Sequence, residues 1–230
     1  MASYPSTLLT SGKKLVSSKS GLRMLCVNDA EKSAFEINEP NWQVDCEQPV
    51  CNKCSKKFTF KIRRHHCRRC GKIFCSDCCK NKLALPRLSF VDPQLVCTDC
   101  LHVAKKEISL YENLVPILTK GAEFLAKENQ SVFCKLDVKS LRELVFNCLS
   151  PDGYLEGVLL REIESFQCLT DPLEQNVDGV GLVGVNIKYK SGVELKTLKL
   201  MVPNSIINRK DAVTFLLTLQ KVVRLIFDSS

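Results

Sequence analysis

Residues 63–71 read Arg-Arg-His-His-Cys-Arg-Arg-Cys-Gly, and they contain one of the four Cys-x-x-Cys pairs of this chain, Cys67/Cys70. The other pairs are Cys51/Cys54, Cys75/Cys78 and Cys97/Cys100. Two thiolates separated by two residues can bind the same tetrahedral Zn²⁺, so four pairs can supply all the ligands of two closed structural zinc sites. The arginines and histidines beside Cys67 are not required by the metal. They instead predict an anionic ligand close to the zinc sites.

Residues 42–100 resemble the FYVE zinc finger, a small phosphoinositide-binding module that attaches proteins to endosomal membranes. The resemblance rests on residues 42–45 (Trp-Gln-Val-Asp, for the family's Trp-x-x-Asp), on residues 63–71 (a complete Arg-Arg-His-His-Cys-Arg-x-Cys-Gly core), and on residues 95–97 (Leu-Val-Cys, for Arg-Val-Cys). Two motifs are intact, and the third has Leu95 where the family has an arginine. Such a composite pattern is far more specific than a single Cys-x-x-Cys pair.

The resemblance implies a cross-brace order of zinc ligation, in which the first and third pairs share one ion and the second and fourth pairs share the other. The eight expected ligands of the two Zn²⁺ are Cys51, Cys54, Cys67, Cys70, Cys75, Cys78, Cys97 and Cys100. A module of about sixty residues buries little apolar surface, so we expect zinc binding to supply much of its folding free energy. We interpret Cys46 and Cys79, which lie close to the ligands in sequence, as spare surface thiols.

The resemblance also implies a site for the headgroup of phosphatidylinositol 3-phosphate. Its expected residues are Asp45, Arg63, Arg64, His65, His66 and Arg68. By the family roles, Arg64 and Arg68 bind the 3-phosphate, Arg63 binds the phosphodiester, and the others hydrogen-bond to ring hydroxyls. A guanidinium can bind a phosphate through two hydrogen bonds, whereas a carboxylate repels a phosphate, so Asp45 should select against more highly phosphorylated inositides. Zinc ligation by the two histidines is the alternative, but eight cysteines already satisfy both ions.

Two further features bear on membrane binding. Leu95 removes a charge-assisted hydrogen bond of about 1.5–3 kcal/mol, so we expect weaker and broader inositide binding, with Arg87 or Lys82 as candidates to compensate. Residues 58–62 read Phe-Thr-Phe-Lys-Ile, where FYVE fingers carry a membrane-inserting loop. We expect Phe60 at the tip of this loop and Lys61 among the lipid headgroups, whereas Phe58 and Ile62 fit core positions better.

The net charge of the chain is concentrated on the zinc-binding region. Residues 42–102 carry 12 Lys+Arg against 5 Asp+Glu, whereas residues 103–230 carry 16 of each. A basic patch of this kind favours anionic membranes or nucleic acid, but no basic recognition helix supports nucleic-acid binding. The sequence shows neither an apolar run of membrane-spanning length nor a signal peptide, so we predict a cytoplasmic protein whose cysteines bind metal.

Four regions are predicted: a flexible N-terminal tail (1–40), the FYVE finger (41–104), a linker helix that Pro116 disturbs or restarts (105–120), and a PH-like domain (121–230). Seven strand-like runs followed by an amphipathic helix at 208–227 predict a PH-like barrel with a C-terminal helix, so the fold is mainly β with helices. Inositide-binding PH domains need clustered basic residues near the first strand turn. This region lacks them, which favours a protein-binding or stabilising role.

These features predict a non-enzymatic adaptor recruited to membranes by phosphatidylinositol 3-phosphate or related inositides. A FYVE finger ahead of a PH-like domain in a short chain resembles adaptors of endosomes and focal adhesions, which implies an unidentified protein partner there. RING ubiquitin ligases also use cross-braced zinc, but they include a histidine ligand, and no nucleophile–base pattern is evident elsewhere. The alternative is a zinc finger that binds protein directly and lipid only weakly or broadly, since Leu95 weakens the lipid site.

Overall fold

The computed structural model describes residues 12–18, 20–126, 129–148, 154–171 and 181–228. The chain divides into two compact units, one formed by Met1–Lys32 with Glu36–Tyr111, the other by Ser33–Phe35 with Glu112–Ser230. None of the described helices is both long enough and apolar enough to cross a membrane.

The first unit begins with an antiparallel hairpin of strands β1 (Lys13–Ser18) and β2 (Gly21–Cys26). Strand β2 is joined to a later segment, because Met24 N donates to Ser89 O at 2.9 Å and Val91 N donates to Leu22 O at 3.0 Å. The prediction of a flexible tail is therefore wrong for residues 12–18 and 20–40. Pairing with residues 88–91 is a long-range interaction that no local hydrophobic period reveals. Residues 1–11 and Lys19 lie outside the described residues.

The zinc-binding region contains two short antiparallel pairs and a helix. Strand β3 (His65–His66) pairs with β4 (Ile73–Phe74), and β5 (Asn81–Leu83) pairs with β6 (Gln94–Val96). Helix α1 (Thr98–Ser109) begins directly after the ligand Cys97. The helix predicted for residues 105–120 thus starts seven residues earlier than expected. The buried core of this region combines six cysteines with apolar residues, which are Phe58, Ile73, Phe74, Leu85, Leu88, Phe90, Val96 and Ala104.

Helix α1 is followed by one π-helical turn (Leu110–Leu114) and by helix α2 (Val115–Lys120). Pro116 has no N–H to donate to the carbonyl four residues earlier, and its ring would clash with that carbonyl in a regular α-helix. A wider turn just before the proline relieves both problems. The prediction that Pro116 disturbs the helix or starts a new turn is confirmed.

The second unit is built on one antiparallel sheet of seven strands. They are β7 (Ala122–Leu125), β8 (Ser131–Leu136), β9 (Glu143–Cys148), β10 (Val158–Leu159), β11 (Ile163–Thr170), β12 (Leu182–Ser191) and β13 (Glu194–Met201). Their spatial order is β10-β9-β8-β7-β13-β12-β11, and the two halves meet where Leu125 pairs with Met201. Strand β8 alternates half-buried and buried residues, as a strand with one core-facing side must. The predicted set of seven strands ahead of a C-terminal helix is confirmed.

Helix α3 (Ile206–Phe227) packs its apolar stripe against this sheet. The buried residues of the stripe are those expected from the sequence: Ala212, Phe215, Leu216, Leu219, Val222, Val223 and Ile226. Phe215 meets Phe124 of β7 edge to face, with ring centroids 5.5 Å apart. Such aromatic pairs add stability beyond that of the buried area, so this contact helps to fix the helix on the sheet.

A segment that precedes the zinc-binding region belongs to the second unit. Ala34 N donates to Leu141 O at 3.1 Å, and Arg161 Nε donates to Ala34 O at 3.3 Å. Phe35 is completely buried. The second unit therefore contains Ser33–Phe35 as well as residues 112–120, all outside the predicted PH-like range of 121–230.

Candidate functional site: two zinc centres and an arginine-lined cleft

Eight cysteines form two clusters in the first unit. One contains Cys51, Cys54, Cys75 and Cys78, and the other contains Cys67, Cys70, Cys97 and Cys100. Within each cluster the four Sγ atoms lie within 4.8 Å of one another, and those of Cys54 and Cys75 are 3.6 Å apart. Sulfur atoms bound to one tetrahedral Zn²⁺ at about 2.3 Å lie about 3.8 Å apart. The clusters therefore fit two Zn²⁺ ions in the cross-brace order implied by the resemblance.

Backbone N–H groups point at the sulfur atoms and favour the thiolate form. Cys75 N donates to Cys51 Sγ at 3.3 Å, and Cys100 N donates to Cys97 Sγ at 3.4 Å. Burial of Cys51 opposes ionisation, but hydrogen bonds from the backbone of Cys54 and Cys75 outweigh it and lower the pKa of Cys51 from 9.0 to about 6. The thiolate is the form that binds zinc, so these hydrogen bonds favour the metal-binding form of Cys51.

The two remaining cysteines of this region differ in environment. Cys46 is exposed, as expected for a spare surface thiol. Cys79 is only 1% exposed, and burial raises its pKa to about 12, so the prediction of a surface thiol is wrong for this residue. Cys79 N donates to Cys75 O at 3.0 Å, which places it in the turn that follows a zinc ligand. Its side chain acts as a small apolar core residue.

A cleft of about 460 Å³ lies beside the ligand Cys67. It is lined by Ser18, Ser20, Glu39, Trp42, Gln43, Val44, His66 and Arg68. Only His66 and Arg68 belong to the predicted headgroup set, and both flank Cys67 in the sequence. Trp42, Gln43 and Val44 come from the Trp-x-x-Asp segment, and Glu39 lies just before it. Ser18 and Ser20 come from the N-terminal hairpin, which no sequence motif connects with the site.

Arg68 is held along one wall of this cleft. Its Nε donates to Ser20 O at 2.8 Å, and its Nη1 donates to His66 O at 3.0 Å. Its guanidinium carbon lies 5.5 Å from the ring centroid of Trp42, within the range of a cation–π contact. Among the described residues these contacts leave the hydrogens of Nη2 for a ligand. The guanidinium is thus already oriented before a ligand binds.

The segment that carries Trp42 is fixed to the zinc-binding loop. Gln43 N donates to Gly71 O at 3.1 Å, and His66 Nε2 donates to Gln43 O at 2.8 Å. Gly71 has φ +75°, and a Cβ at this position would lie 2.2 Å from Asn41 O. Only glycine permits this close approach of the two backbones. The Cys-Gly end of the motif core therefore sets the position of the tryptophan.

The structure does not bring all six predicted headgroup residues into one cleft. Asp45 Oδ1 is 3.8 Å from His66 Nε2, and the Asp45 side chain is 66% exposed, so it lies next to the cleft. His65 precedes His66 in strand β3, and successive strand residues face opposite ways. Arg63 and Arg64 are exposed, and Arg64 lies outside the cleft, with its guanidinium carbon 4.8 Å from the ring centroid of Phe58.

Arg69 and Arg87 form a buried ion cluster with Glu107 of helix α1. Arg69 contacts the Glu107 carboxylate through three N–H···O pairs of 2.9–3.2 Å, and Arg87 Nη1 lies 3.4 Å from Glu107 Oε1. The side chains of Arg87 and Glu107 are only 4% and 3% exposed. Arg87 therefore cannot compensate for Leu95, and that suggestion is wrong. Its charge is required to offset the buried carboxylate.

Leu95 packs at the edge of the finger core, and its carbonyl accepts a hydrogen bond from Arg68 N at 2.8 Å. It pairs with Lys82 across strands β5 and β6, and cross-strand partners point to the same face of a sheet. Lys82 is exposed, so of the two candidates it is the one whose charge can reach a ligand beside Leu95.

The loop before the motif core presents one aromatic side chain to solvent. Phe60 is 91% exposed, whereas Phe58 is 8% exposed and belongs to the core. Thr59 N donates to Ile62 O at 3.1 Å, which closes a turn with Phe60 and Lys61 at its tip. An apolar side chain projecting beside exposed cations is the geometry that insertion into an anionic bilayer requires.

The fold of the first unit and its two cysteine clusters define a FYVE zinc-finger protein, and residues 41–106 match the family described as FYVE zinc finger. Residues 109–230, more than half of the chain, match the family described as Zinc finger FYVE domain-containing protein 21 C-terminus. The chain belongs to this family.

Several proteins are similar to this chain over part of its length. Zinc finger FYVE domain-containing protein 16 of Mus musculus is 38% identical over 100 residues, which are 43% of this chain and 6% of that protein. A Schizosaccharomyces pombe protein provisionally named E3 ubiquitin-protein ligase C36B7.05c is 32% identical over 134 residues, 48% of this chain and 42% of that protein. The solution structure of the LM5-1 FYVE domain from Leishmania major is 37% identical, with a TM-score of 0.28, covering 30% of this chain and 83% of that one. The chain spans less than half the length of these two curated relatives.

Proposed function

We propose that this protein is a membrane-recruited adaptor whose zinc finger binds phosphatidylinositol 3-phosphate. The observation that carries the proposal is the orientation of Arg68 in a cleft of about 460 Å³ beside His66 and Trp42. A guanidinium that is already fixed by two hydrogen bonds loses little conformational entropy when it binds a phosphate. Membership of a FYVE family supports a phosphoinositide as the class of ligand.

Membrane attachment combines this cleft with the surface next to it. Phe60 is exposed at the tip of its turn, and Lys61, Arg63 and Arg64 are exposed close to it in sequence. Each basic group near an anionic leaflet contributes about 1 kcal/mol, and an inserted aromatic side chain adds an apolar contribution. In this proposal Arg68 binds the 3-phosphate inside the cleft, while Arg63 and Arg64 bind phosphate groups at its outer side.

Asp45 provides selectivity in this arrangement. It is exposed and lies close to His66, so its carboxylate can accept hydrogen bonds from inositol hydroxyls while it repels a phosphate at the same position. His66 Nε2 already donates to Gln43 O, so His66 is proposed to hydrogen-bond to a ring hydroxyl through Nδ1. His65, on the opposite face of strand β3, is proposed to contact the headgroup from outside the cleft.

The whole protein is proposed to act as a non-enzymatic cytoplasmic adaptor on endosomal or other vesicle membranes and at focal adhesions. Residues 103–230 carry equal numbers of acidic and basic residues, which supports a protein-binding or stabilising role rather than a second lipid site. The second candidate function is a finger that binds a protein partner directly and lipid only weakly. The observation in its favour is Leu95, which packs on the core where the family motif has a cation.

Vesicle sedimentation with the full chain tests the proposal. Phosphatidylcholine vesicles would carry phosphatidylinositol 3-phosphate, its 4- or 5-phosphate isomer, the 3,5-bisphosphate, or no inositide. Arg68→Ala should weaken binding to the 3-phosphate vesicles at least about tenfold, because a charge-assisted hydrogen bond contributes about 1.5–3 kcal/mol. Arg224→Ala, an exposed arginine on helix α3, removes the same charge and should leave binding unchanged. Weak or undetectable wild-type binding to all of these vesicles would favour the protein-binding finger.

A further inference from the structure

The turn of the N-terminal hairpin reaches the cleft although it lies outside the segment that defines the finger. The FYVE match begins at residue 41, whereas strands β1 and β2 meet at Ser18 and Gly21. Ser18 and Ser20 nevertheless line the cleft with Trp42, His66 and Arg68.

The hairpin holds Arg68 by its main chain. Ser20 O accepts the Nε hydrogen of Arg68 at 2.8 Å, while Nη1 donates to His66 O on the other side. The two acceptors engage two different nitrogen atoms of one planar group, so together they fix the plane of the guanidinium. Because Ser20 is only 9% exposed, its carbonyl is fixed within the folded structure of the site.

The hairpin is also connected to Trp42 through Glu39. Arg23 Nη1 donates to Glu39 Oε2 at 2.9 Å, and Trp42 Nε1 donates to Glu39 Oε1 at 3.2 Å. Arg23 itself is 9% exposed, and its Nε donates to Leu88 O at 2.8 Å. The hairpin thus contacts Arg68 directly, and it is linked to Trp42 through the Glu39 carboxylate.

The turn adds two hydroxyl groups to the lining. Ser18 Oγ and Ser20 Oγ are 2.6 Å apart, and Ser18 Oγ also lies 3.2 Å from Gly21 O. A hydroxyl can donate one hydrogen bond and can rotate to redirect it, so either group can donate to an anionic oxygen in the cleft. Hydrogen bonds from neutral donors to a charged acceptor are stronger than those between neutral groups.

We propose that the N-terminal hairpin is an integral wall of the headgroup site: Ser20 positions Arg68 through its carbonyl, and one hydroxyl of the Ser18/Ser20 pair donates to a phosphate oxygen of a bound inositide. This inference rests on the proposed function and adds to it residues that precede the finger. The complete headgroup site then includes residues that precede the finger, as far towards the N-terminus as Ser18.

Trp42 gives this inference a direct readout, because it is the single tryptophan of the chain and it lines the cleft. The full chain, loaded with zinc, would be titrated with soluble inositol 1,3-bisphosphate and, in parallel, with inorganic phosphate, and Trp42 fluorescence would be followed. Ser18→Ala/Ser20→Ala should raise the dissociation constant for the bisphosphate about tenfold or more, since a hydroxyl donor to a charged group is lost. Ser17→Ala, on an exposed part of β1 outside the cleft, should leave it unchanged. Ser18→Thr/Ser20→Thr keeps both hydroxyls and should restore binding.

A second variant displaces the carbonyl rather than the hydroxyls. Gly21 has φ +136°, and a Cβ there would lie 3.2 Å from Phe90 Cε1 and 3.3 Å from Gln94 Nε2. Gly21→Val should therefore shift the turn away from Arg68, change Trp42 emission before any ligand is added, and weaken bisphosphate binding. Circular dichroism and a content of two zinc ions per chain would verify that the finger remains folded.

The possible results of these titrations distinguish failure of the hairpin inference from failure of the proposed function. If wild type binds inositol 1,3-bisphosphate and both hairpin variants bind it equally well, the hairpin has no role in recognition and the proposed function stands. If wild type binds neither the bisphosphate nor vesicles containing phosphatidylinositol 3-phosphate, the proposed function fails and the inference fails with it. If inorganic phosphate binds as tightly as the bisphosphate, the cleft is a general anion site and the headgroup assignment is overturned.

Discussion

Replacement of Phe60 by alanine should weaken membrane binding without destabilising the folded protein. Phe60 is 91% exposed, so the fold gains almost nothing from its burial. Complete burial of a phenylalanine side chain contributes about 1.5–3 kcal/mol, and scaling by the exposed fraction leaves about 1.4–2.7 kcal/mol for insertion into a bilayer. The apparent affinity for vesicles should therefore fall about 10- to 100-fold.

The assay is sedimentation with phosphatidylcholine vesicles containing phosphatidylinositol 3-phosphate, with unfolding by denaturant measured on the same samples. Phe58→Ala is the matched control two residues away. Phe58 is 8% exposed and its ring lies under Arg64, so its loss should lower the free energy of unfolding by about 3–5 kcal/mol. Val193, fully exposed at the turn between β12 and β13, controls for the loss of an exposed apolar side chain elsewhere. Val193→Ala should alter neither quantity.

Two results would refute this reasoning. Vesicle binding of Phe60→Ala that stays within about twofold of wild type would show that the loop does not insert through this residue. A fall in its unfolding free energy of more than about 0.5 kcal/mol, the usual limit for surface substitutions, would show that Phe60 packs in the folded state.

Three other perturbations test separate parts of the structure. Glu107→Ala should lower the free energy of unfolding by about 3–5 kcal/mol in denaturant titrations, because Arg69 and Arg87 lose their buried counter-charge; a change below about 1 kcal/mol would mean that solvent reaches the cluster. Leu95→Arg should strengthen binding of phosphatidylinositol 3-phosphate vesicles up to about tenfold, and unchanged affinity would indicate that Lys82 already supplies the charge. Chelation of zinc should unfold the finger while the circular dichroism of the second unit persists, and Cys75→Ser should remove one ion; an apo protein that still binds these vesicles would contradict the zinc assignment.

The parts of the structure that the sequence predicts well depend on short or regular spacing. Cys-x-x-Cys pairs specify zinc ligands locally, and the family resemblance supplied the order in which the pairs combine. The buried stripe of α3 follows from helical periodicity alone, and its seven apolar residues are all in the core. The exposure of Phe60 follows from the family resemblance, which implies a membrane-inserting loop with Phe60 at its tip. Strand alternation would instead place Phe58 and Phe60 on the same side.

The hairpin, the role of Arg87 and the serines of the cleft depend on contacts between residues far apart in the chain. The sequence alone predicts a tail at the hairpin because its pairing partner lies more than sixty residues later, at 88–91. Arg87 is a candidate to bind the ligand until the structure shows that Glu107, on a helix twenty residues away, neutralises it. No sequence motif marks Ser18 and Ser20 as part of the site. Ser20 acts partly through its backbone carbonyl, a group that every residue possesses.

The position of Ser33–Phe35 has a consequence for the order of events during synthesis. These residues are made before the finger, yet Leu141 and Arg161, the residues to which they hydrogen-bond, are made after it. At about 5–20 residues per second, roughly 10–40 s pass between translation of Phe35 and completion of helix α3, whereas the finger can bind zinc as soon as α1 has emerged. Ser33 and Ala34 must therefore wait on the nascent chain until their hydrogen-bond partners Leu141 and Arg161 have been made. A fragment that starts after the finger would lack these hydrogen bonds.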